Sequence, residues 1–325
     1  MSAMRYGKVA GIELPVSRLV QGAMGVSTKE QDKTNQLLDD LFAMGCNAMD
    51  NAVIYGGGDC EKALGVWVKS RGIRDKFVVI TKGGHPDHEG HRITPEKITQ
   101  DVEKSLGHLQ MDHIDLYMLH RDNPAVPVGT VVEVLTTLQR EGKIRAFCGS
   151  NWNYTRIKEG NEYAEKNGLI PFAASSPNFS LAEQFKEPWG DCRSISGDKG
   201  KADREWYAKT QIPLFFWSSL AGGFFSGRFT RDNLAQMKGY QEELCVKSYC
   251  YEPNFQRLDR AKELAAKKCV SIAQIAMAYV IHSGLNAFCL TGARSKEEFA
   301  DTMKAVEIEL SPAEQEWLDL RPEKS

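Results

Sequence analysis

The stretch KFVVITKGGHPDHEGHRITPEKITQDVEKSLGHLQMDHIDLYMLH, Lys76 to His120, decides the fold. Its two ends, KFVVITK and HIDLYMLH, are short apolar runs of strand length. Between them, Thr94 to Leu109 predicts a helix with a threonine cap, a proline in the first turn and an apolar residue at every fourth position. A strand, a helix and a second strand in this order predict two parallel strands joined by a crossover helix.

The same alternation continues on both sides of this stretch. Further strands are predicted over Arg18–Met24, Gly45–Asp50, Ile144–Ser150, Ile170–Ser175, Pro213–Ser218 and Asn286–Gly292. Further helices are predicted over Lys33–Ala43, Lys62–Arg71, Val131–Arg140 and Tyr154–Lys166, and from Ser271 and Lys296 onward. Eight strands alternating with helices predict an α/β fold: a (β/α)₈ TIM barrel with long loops at its C-terminal face. We expect one domain over residues 1–325, with the first seventeen residues as an N-terminal β-hairpin.

The competing architecture is a doubly wound open sheet. It would be expected to carry G-x-G-x-x-G after its first strand, but Gly56 and Gly58 are followed by Glu61 where the third glycine would fall. The chain has no P-loop motif either. The closed barrel is therefore favoured.

Composition narrows the class of partner. The 325 residues are 42% hydrophobic and 26% charged, and the net charge of −2 argues against nucleic acid and anionic membranes. The sequence shows no secretory signal and no apolar run near the roughly 18 residues of a membrane span. Eight cysteines without a framework suit a reducing cytoplasmic compartment, and Cys245 and Cys250 form a poor zinc half-site. A small-molecule substrate is expected, and a homo-oligomer is compatible with the sequence.

Functional side chains follow three adjacent predicted strands. The second strand ends at Asp50, with Tyr55 just beyond it; the third ends at Lys82 and the fourth at His120. Strand C-termini converge on one face of a barrel, so these four side chains should meet. A strand-end aspartate alone can be a turn former, a terminal lysine is usually solvated and a lone histidine is usually structural. Their coincidence at consecutive strand ends favours a catalytic site.

The four side chains suggest acid–base chemistry. Tyrosine ionises near pH 10, and a nearby Lys82 ammonium should lower the pKa of Tyr55. Asp50 can keep Lys82 charged and aimed, while His120 can orient a substrate oxygen. Tyr55 would then be a general acid beside a carbonyl oxygen that becomes an alkoxide. A proton donor without a nucleophile implies that a cofactor supplies hydride.

These residues resemble those of the aldo-keto reductase family, and the similarity runs nearly end to end. The family's Asp, Tyr, Lys and His tetrad matches Asp50, Tyr55, Lys82 and His120, and DLYMLHRD is similar to its fourth-strand signature. GSNW resembles the fifth-strand motif, WSSLAGGFFSGR the seventh-strand motif and TGARSKEEF the last phosphate loop. The resemblance implies a nicotinamide-dependent enzyme that interconverts carbonyls and alcohols.

The resemblance also implies a set of cofactor residues. Ser150 and Asn151 would hold the carboxamide, and Trp217 would stack on the nicotinamide. The pyrophosphate would lie among Ser218, Ser219, Leu220 and Gly223, with Arg228 as its cation. Gly22, Ala23 and Met24 would face the cofactor from the first strand, and Gly292, Ala293 and Arg294 would bind phosphate at a helix N-terminus.

Three positions depart from the family pattern and bear on cofactor choice. Ser176 replaces the usual sixth-strand glutamine, and Glu298 and Thr302 replace the usual glutamine and asparagine beside the adenine. Glu298 disfavours a 2′-phosphate, whereas Arg294 and Lys296 favour one. NADP(H) is favoured, and NAD(H) is the alternative.

The substrate side is defined by loops. His85, His88 and His91 recur at every third position of one loop, which could bind metal, contact substrate or remain solvated; no metal is expected. Residues 178–206 form a long insertion, as functional loops often do, and favour a sugar or polyol-like substrate. His85, Arg121 and Trp152 are predicted to contact substrate, and Met24 is a candidate pocket wall.

Two other functions remain open. Some proteins of this fold are cofactor-sensing regulatory subunits of potassium channels, and an intact tetrad does not exclude that role. A metal-dependent barrel hydrolase is the second alternative, but carboxylates and histidines do not recur with ligand spacing.

Overall fold

The computed structural model describes residues 3–321, and a closed parallel barrel forms its centre. Each of the eight barrel strands pairs with the next one along the chain, and the last pairs with the first. This confirms the predicted (β/α)₈ barrel. The strands are β3 (Leu19–Gly22), β4 (Ala48–Asp50), β5 (Val78–Gly83), β6 (Ile114–Leu119), β7 (Ile144–Ser150), β8 (Ala174–Ser176), β9 (Leu214–Phe216) and β10 (Ala287–Thr291).

The helices surround the barrel and lie in the chain segments that follow its strands. The predicted capping residues act as caps: Thr94 accepts from the backbone of Lys97, and Ser271 forms a capping box with Gln274. The helices are α1 (Gln31–Ala43), α2 (Asp59–Arg71), α3 (Pro95–Leu109), α4 (Val128–Arg140), α5 (Tyr154–Asn167), α6 (Lys201–Thr210), α7 (Tyr240–Tyr249), α8 (Glu252–Lys268), α9 (Ile272–Ile281), α10 (Lys296–Met303) and α11 (Pro312–Leu318). Sequence reasoning missed α6, α7, α8 and α11.

The N-terminal hairpin is also confirmed. Strands β1 (Tyr6–Gly7) and β2 (Val16–Ser17) pair antiparallel. Val9 and Val16 join the apolar cluster inside the barrel, where they meet residues such as Val78 at the start of a barrel strand. The hairpin therefore covers the N-terminal end of the barrel, and the opposite end carries the long loops.

The sixth barrel strand is shorter than predicted because side chains from neighbouring helices take its first backbone amides. The amide of Ile170 donates to Thr136 Oγ1 at 3.2 Å, and that of Phe172 donates to Asn161 Oδ1 at 2.9 Å. Pro171 has no amide to donate. Pairing with β7 therefore begins only with the amide of Ala173, which donates to the carbonyl of Phe147 at 2.9 Å.

The predicted insertion over residues 178–206 ends earlier than expected, because α6 begins at Lys201. Residues 177–200 form the connection between β8 and α6, here called the β8–α6 segment. A bidentate ion pair ties it to the helix, with Arg193 Nη2 2.7 Å from Oδ2 of the buried Asp203. The ion pair thus fastens the middle of this polar segment to α6.

Within residues 3–321, no single helix has the length and apolar character needed to cross a membrane. Helices α8 and α9 meet that test only when taken together, and their axes bend by 100° between them.

Replacing Gly83 with alanine should destabilise the barrel. An added Cβ would lie 2.0 Å from the hydroxyl oxygen of the buried Tyr117 and 2.6 Å from Asp101 Cβ. Such overpacking costs about 1–3 kcal/mol or more, measurable as a lower free energy of unfolding in urea. Gly107→Ala is the matched control, because Gly107 lies exposed in α3 with no atom near its added Cβ. It should stabilise the protein by up to about 1 kcal/mol; equal effects of both changes would contradict this account.

Candidate active site

Asp50 and Lys82 form a buried ion pair at the C-terminal end of neighbouring strands. Lys82 Nζ lies 2.6 Å from Asp50 Oδ2 and also donates to the carbonyl of Asn51 at 2.8 Å. The two side chains are 4% and 5% exposed. Burial alone would lower the pKa of Lys82, but the Asp50 carboxylate and Tyr55 outweigh burial, so the pKa of Lys82 is raised. Lys82 is therefore a fixed cation.

Tyr55 begins a tight turn that only glycine can complete. Gly56, Gly57 and Gly58 follow it with φ values of 58°, 65° and 94°. These values lie in the left-handed region, which residues other than glycine rarely adopt. Helix α2 then starts at Asp59, whose carboxylate accepts from Ser27 Oγ at 2.6 Å and anchors the turn. Lys82 Nζ lies 5.1 Å from the centroid of the Tyr55 ring. The glycines thus allow Tyr55 to reach the ion pair.

His120 follows β6 and contacts Tyr55 edge to face, with 5.8 Å between ring centroids. Its amide donates to the carbonyl of Gly83 at 2.7 Å, which extends the ladder between β5 and β6 by one residue. Burial and the positive charges of Lys82 and Arg121 hold the pKa of His120 well below its usual range. The ring is therefore neutral near pH 7. Its buried Nδ1 has no hydrogen-bond partner within residues 3–321.

The predicted pKa of Tyr55 needs a correction. Burial raises the pKa of Tyr55 above its usual value, and this effect outweighs the opposing influence of Lys82. Sequence reasoning considered the charge of Lys82 but not the burial of the phenol, which only packing determines. Tyr55 therefore holds its proton at neutral pH, as a general acid must.

Asn151 joins three parts of the pocket. Its backbone is left-handed, with φ of 64°, and its Nδ2 donates to the carbonyl of His120 at 3.2 Å. Its Oδ1 accepts from the Arg193 amide and from Trp217 Nε1, both at 3.1 Å. The neighbouring Ser150 Oγ donates to the carbonyl of Ser176 at 3.2 Å. The structure thus brings together the predicted carboxamide and stacking residues.

The loop after β9 is a tight turn and the candidate anion cradle. Ser218, Ala221, Gly222 and Gly223 all have positive φ, and the amides of Ala221 and Gly223 donate within the loop, to the carbonyls of Ser218 and Leu220. Arg228 Nη2 would lie 3.6 Å from a Cβ added at Gly223, so a guanidinium stands beside this turn. Arg228 also pairs with Glu242 at 3.3 Å. These features fit a pyrophosphate.

The second predicted anion site is the loop at the start of α10. Ser295 caps this helix, and the amide of Arg294 donates to Glu298 Oε2 at 2.8 Å. A carboxylate therefore already occupies an amide of the predicted phosphate loop. The Arg294 side chain is exposed and makes no hydrogen bond or ion pair with any residue of the described chain. Thr302 Oγ1 donates to the Glu298 carbonyl at 3.0 Å.

Other predicted cofactor positions are placed around these two sites. A Cβ added at Gly292 would lie 3.2 Å from Met24 Sδ, so Met24 lies beside this exposed glycine. A Cβ added at Gly22 would lie 3.1 Å from the carbonyl of Thr291. Ser176 and Ser219 are buried and donate their hydroxyls to strand carbonyls, those of Phe215 and Phe216. The Ser176 hydroxyl therefore does not replace the amide of a glutamine.

The structure does not bring Trp152 to the predicted substrate pocket. Trp152 is 1% exposed and packs against Phe172 at 5.3 Å between ring centroids, in the core behind the barrel. Arg121 is also unavailable for a direct contact, because its guanidinium donates to the carbonyls of Gly190 and His120 and to Cys192 Sγ. Arg121 instead anchors the β8–α6 segment over the barrel.

The three histidines of the loop after β5 have different surroundings. His85 is half-buried against His120, whereas His88 and His91 are exposed. Across residues 3–321, no group of three or more histidine, cysteine, aspartate and glutamate side chains is placed to hold a metal ion. Of the three, His85 alone stands beside the tetrad.

Sequence reasoning missed Asn178 as a residue beside the site, and it placed Trp189 only within the functional insertion over residues 178–206. Asn178, fully buried, donates to the carbonyl of Trp217 at 2.9 Å and accepts from Ser194 Oγ at 2.8 Å. Trp189 lies 6.2 Å from Trp217 between ring centroids and donates to Tyr240 Oη at 2.8 Å. A polar residue just beyond the sixth strand was a usable signal for Asn178, but no local pattern marks the position of Trp189.

A sequence model of the Aldo/keto reductase family matches residues 18–319, nearly the whole chain. The chain belongs to this family. The family acts on small-molecule carbonyl compounds, and oxidoreduction is its general chemistry. The resemblance inferred from the tetrad and the strand-end motifs is confirmed.

Individual relatives show how broad the family is. The chain is 28% identical to "Uncharacterized oxidoreductase YrpG" of Bacillus subtilis over 94% of its own length and 92% of the relative's. It is 30% identical to "Norsolorinic acid reductase stcV" of Emericella nidulans over 90% and 72%, and 24% identical to a "Probable voltage-gated potassium channel subunit beta" of Oryza sativa over 94% and 92%. A solved thermostable aldo-keto reductase, Tm1743 with the inhibitor epalrestat, shares the fold with a TM-score of 0.73 at 20% identity, covering 98% and 99% of the two chains.

Proposed function

We propose that this aldo/keto reductase is an NAD(P)(H)-dependent enzyme that interconverts an aldehyde or ketone and an alcohol. The observation that carries this proposal is the arrangement of a buried Lys82–Asp50 pair beside the ring of Tyr55, with His120 directly after a neighbouring strand. A nicotinamide cofactor, when bound along the cradle after β9 and the loop before α10, would supply hydride.

The side chains divide the remaining work. Tyr55 holds a proton at its phenol oxygen and delivers it to the substrate oxygen as negative charge develops there. Lys82 stabilises the resulting tyrosinate, and Asp50 keeps the ammonium in place. Neutral His120 orients the substrate oxygen, since an imidazole can donate or accept a hydrogen bond there. Oxidation of an alcohol uses the same groups in reverse.

Titration with NADPH and NADH, followed by tryptophan fluorescence, tests the cofactor half of the proposal. Trp217 is half-buried and hydrogen-bonded to Asn151, so a nicotinamide stacked on it should quench its emission. NADPH is expected to quench more tightly than NADH because Arg294 is free to pair with a 2′-phosphate. Trp217→Phe should remove most of the quenching. Absence of quenching by both cofactors would contradict the proposal.

Glu298→Gln should increase the preference for NADPH over NADH by about fivefold. The substitution removes a negative charge beside the proposed 2′-phosphate site, an effect of about 1 kcal/mol for a solvated pair of charges. Glu297→Gln is the matched control, because Glu297 is the neighbouring exposed carboxylate of α10 and does not bind the Arg294 amide. An unchanged preference in Glu298→Gln would exclude a phosphate at this end of the site.

The alternative is a cofactor-sensing regulatory subunit, and similarity to the potassium channel subunit of Oryza sativa supports it. A sensing subunit would bind NADPH and oxidise it once, without sustained turnover. Steady-state consumption of many equivalents of NADPH with simple aldehydes would favour the enzyme. A single equivalent consumed would favour the sensor.

A further inference from the structure

The ring of His85 lies beside the proposed catalytic pocket in a rigid loop. It contacts His120 edge to face, with 5.0 Å between ring centroids. The loop is anchored on both sides of this ring, because the Gly84 amide donates to Asp101 Oδ2 at 2.8 Å and Arg92 pairs with both Asp101 and Asp87. Tyr55, His120 and His85 thus form a continuous row of rings.

The hydrogen bonds of His85 determine its tautomer. Its Nδ1 lies 2.8 Å from the carbonyl oxygen of Pro86. A carbonyl can only accept, so Nδ1 carries the proton and donates it. In a neutral ring the other nitrogen, Nε2, then has a bare lone pair. Nε2 makes no hydrogen bond with any residue in the described part of the chain.

The surroundings of His85 keep its ring neutral. Burial and the positive charge of Arg121 lower the pKa of His85, and the Pro86 carbonyl only partly opposes them. The neighbouring ring of His120 is neutral for the same reasons. Arg121 cannot itself bind a substrate group, because three acceptors surround its guanidinium and it is 4% exposed. The protein group next to His120 is therefore His85 Nε2, a hydrogen-bond acceptor.

We propose that His85 Nε2 is a specificity-determining acceptor that selects carbonyl substrates with a hydroxyl group close to the reacting carbonyl. The inference rests on the proposed carbonyl chemistry and names its substrate class. A substrate hydroxyl would donate to Nε2 while the carbonyl oxygen lies between Tyr55 and His120. A methyl ether has no proton to donate, and a carboxylate would meet the lone pair of Nε2 with its own negative charge.

The test compares matched substrates in one enzyme preparation. We would measure kcat/KM for hydroxy-, methoxy- and carboxybenzaldehydes, each substituted at the 2-, 3- and 4-positions. When the substituent is at the ring position that reaches His85, the wild-type kcat/KM should be about tenfold higher for the hydroxyl than for the methoxy compound, the usual effect of one buried hydrogen bond. In His85→Phe, which keeps the ring but removes the acceptor, this ratio should fall to about one. His88→Phe, in the same loop but exposed, should keep the wild-type ratio.

Binding provides a readout that does not depend on turnover. Calorimetric titration with the unreactive hydroxy- and methoxybenzamides should give the same hydroxyl preference in the wild type and its loss in His85→Phe. His85→Leu serves the same purpose if His85→Phe does not fold. If the wild type turns over none of the aldehydes but still binds the hydroxybenzamide more tightly, the proposed activity is overturned and the role of His85 is not. A hydroxyl preference absent from the wild type, retained in His85→Phe, or replaced by a preference for carboxylate would overturn the role of His85.

Discussion

Tyr55→Phe is expected to lower turnover of an aldehyde by about 10²–10⁴-fold, the usual contribution of a general acid. The substitution removes only the phenol oxygen, so the ring can keep its edge-to-face contact with His120 and its place beside Lys82. The proton that Tyr55 would deliver has no other donor at that position, because His120 is neutral and Lys82 is held by Asp50.

Steady-state kinetics with saturating NADPH would measure this loss, and quenching of tryptophan fluorescence would show whether the cofactor still binds. Cofactor affinity should remain within a few-fold of the wild type, because Tyr55 lies outside both proposed phosphate sites. The informative control is Tyr163→Phe, which removes a surface phenol hydrogen-bonded to Glu133 and should leave kcat unchanged. Wild-type turnover in Tyr55→Phe would exclude Tyr55 as the acid.

Lys82→Met is expected to lower both turnover and stability. It leaves the Asp50 carboxylate buried without its cation, and breaking one side of a buried ion pair costs about 3–5 kcal/mol. Turnover should fall by about 10²-fold or more, since the tyrosinate formed on proton transfer would lose the charge that stabilises it. Urea denaturation and steady-state kinetics would measure the two effects.

The double variant Lys82→Met with Asp50→Asn separates these effects. Removing the uncompensated carboxylate should restore about 2 kcal/mol or more of stability relative to Lys82→Met, because a neutral amide is far less costly to bury than a charge. Turnover should remain as low as in Lys82→Met. Recovery of turnover together with stability would mean that Lys82 acts only by supporting the fold.

The barrel could be predicted because its information is local and repeated. Thr94 and Ser271 cap their helices as their side chains predict, and IRAFCGS forms β7 over the predicted residues. Strand ends were less predictable. The start of β8 depends on Thr136 and Asn161, which lie on two different helices and compete for its backbone amides. Thr136 lies 34 residues before Ile170 and Asn161 lies 11 residues before Phe172, so the strand's own residues and their nearest neighbours contain neither.

The candidate site divides in the same way. Consecutive strand ends place Asp50, Lys82 and His120 together in any closed parallel barrel, so their proximity followed from the order of elements. The positions of the Trp152 and Arg121 side chains did not follow from the order of elements. Both come directly after functional positions in sequence, yet one packs into the core and the other holds the β8–α6 segment. Sequence neighbours of a site point in different directions, and packing decides which of them reach it.

The sequence by itself therefore determined the barrel, the family and the four residues of the tetrad. Short, contiguous patterns of sequence are enough to indicate strand–helix alternation and the residues at strand ends. Only the tertiary structure decided the protonation of the site and the surroundings of its loops. Burial raises the pKa of Tyr55 against the charge of Lys82, and the Pro86 carbonyl sets the tautomer of His85. Desolvation depends on atoms brought together from distant positions, and the contact between the neighbours His85 and Pro86 depends on a loop conformation that Asp101 and Arg92 hold.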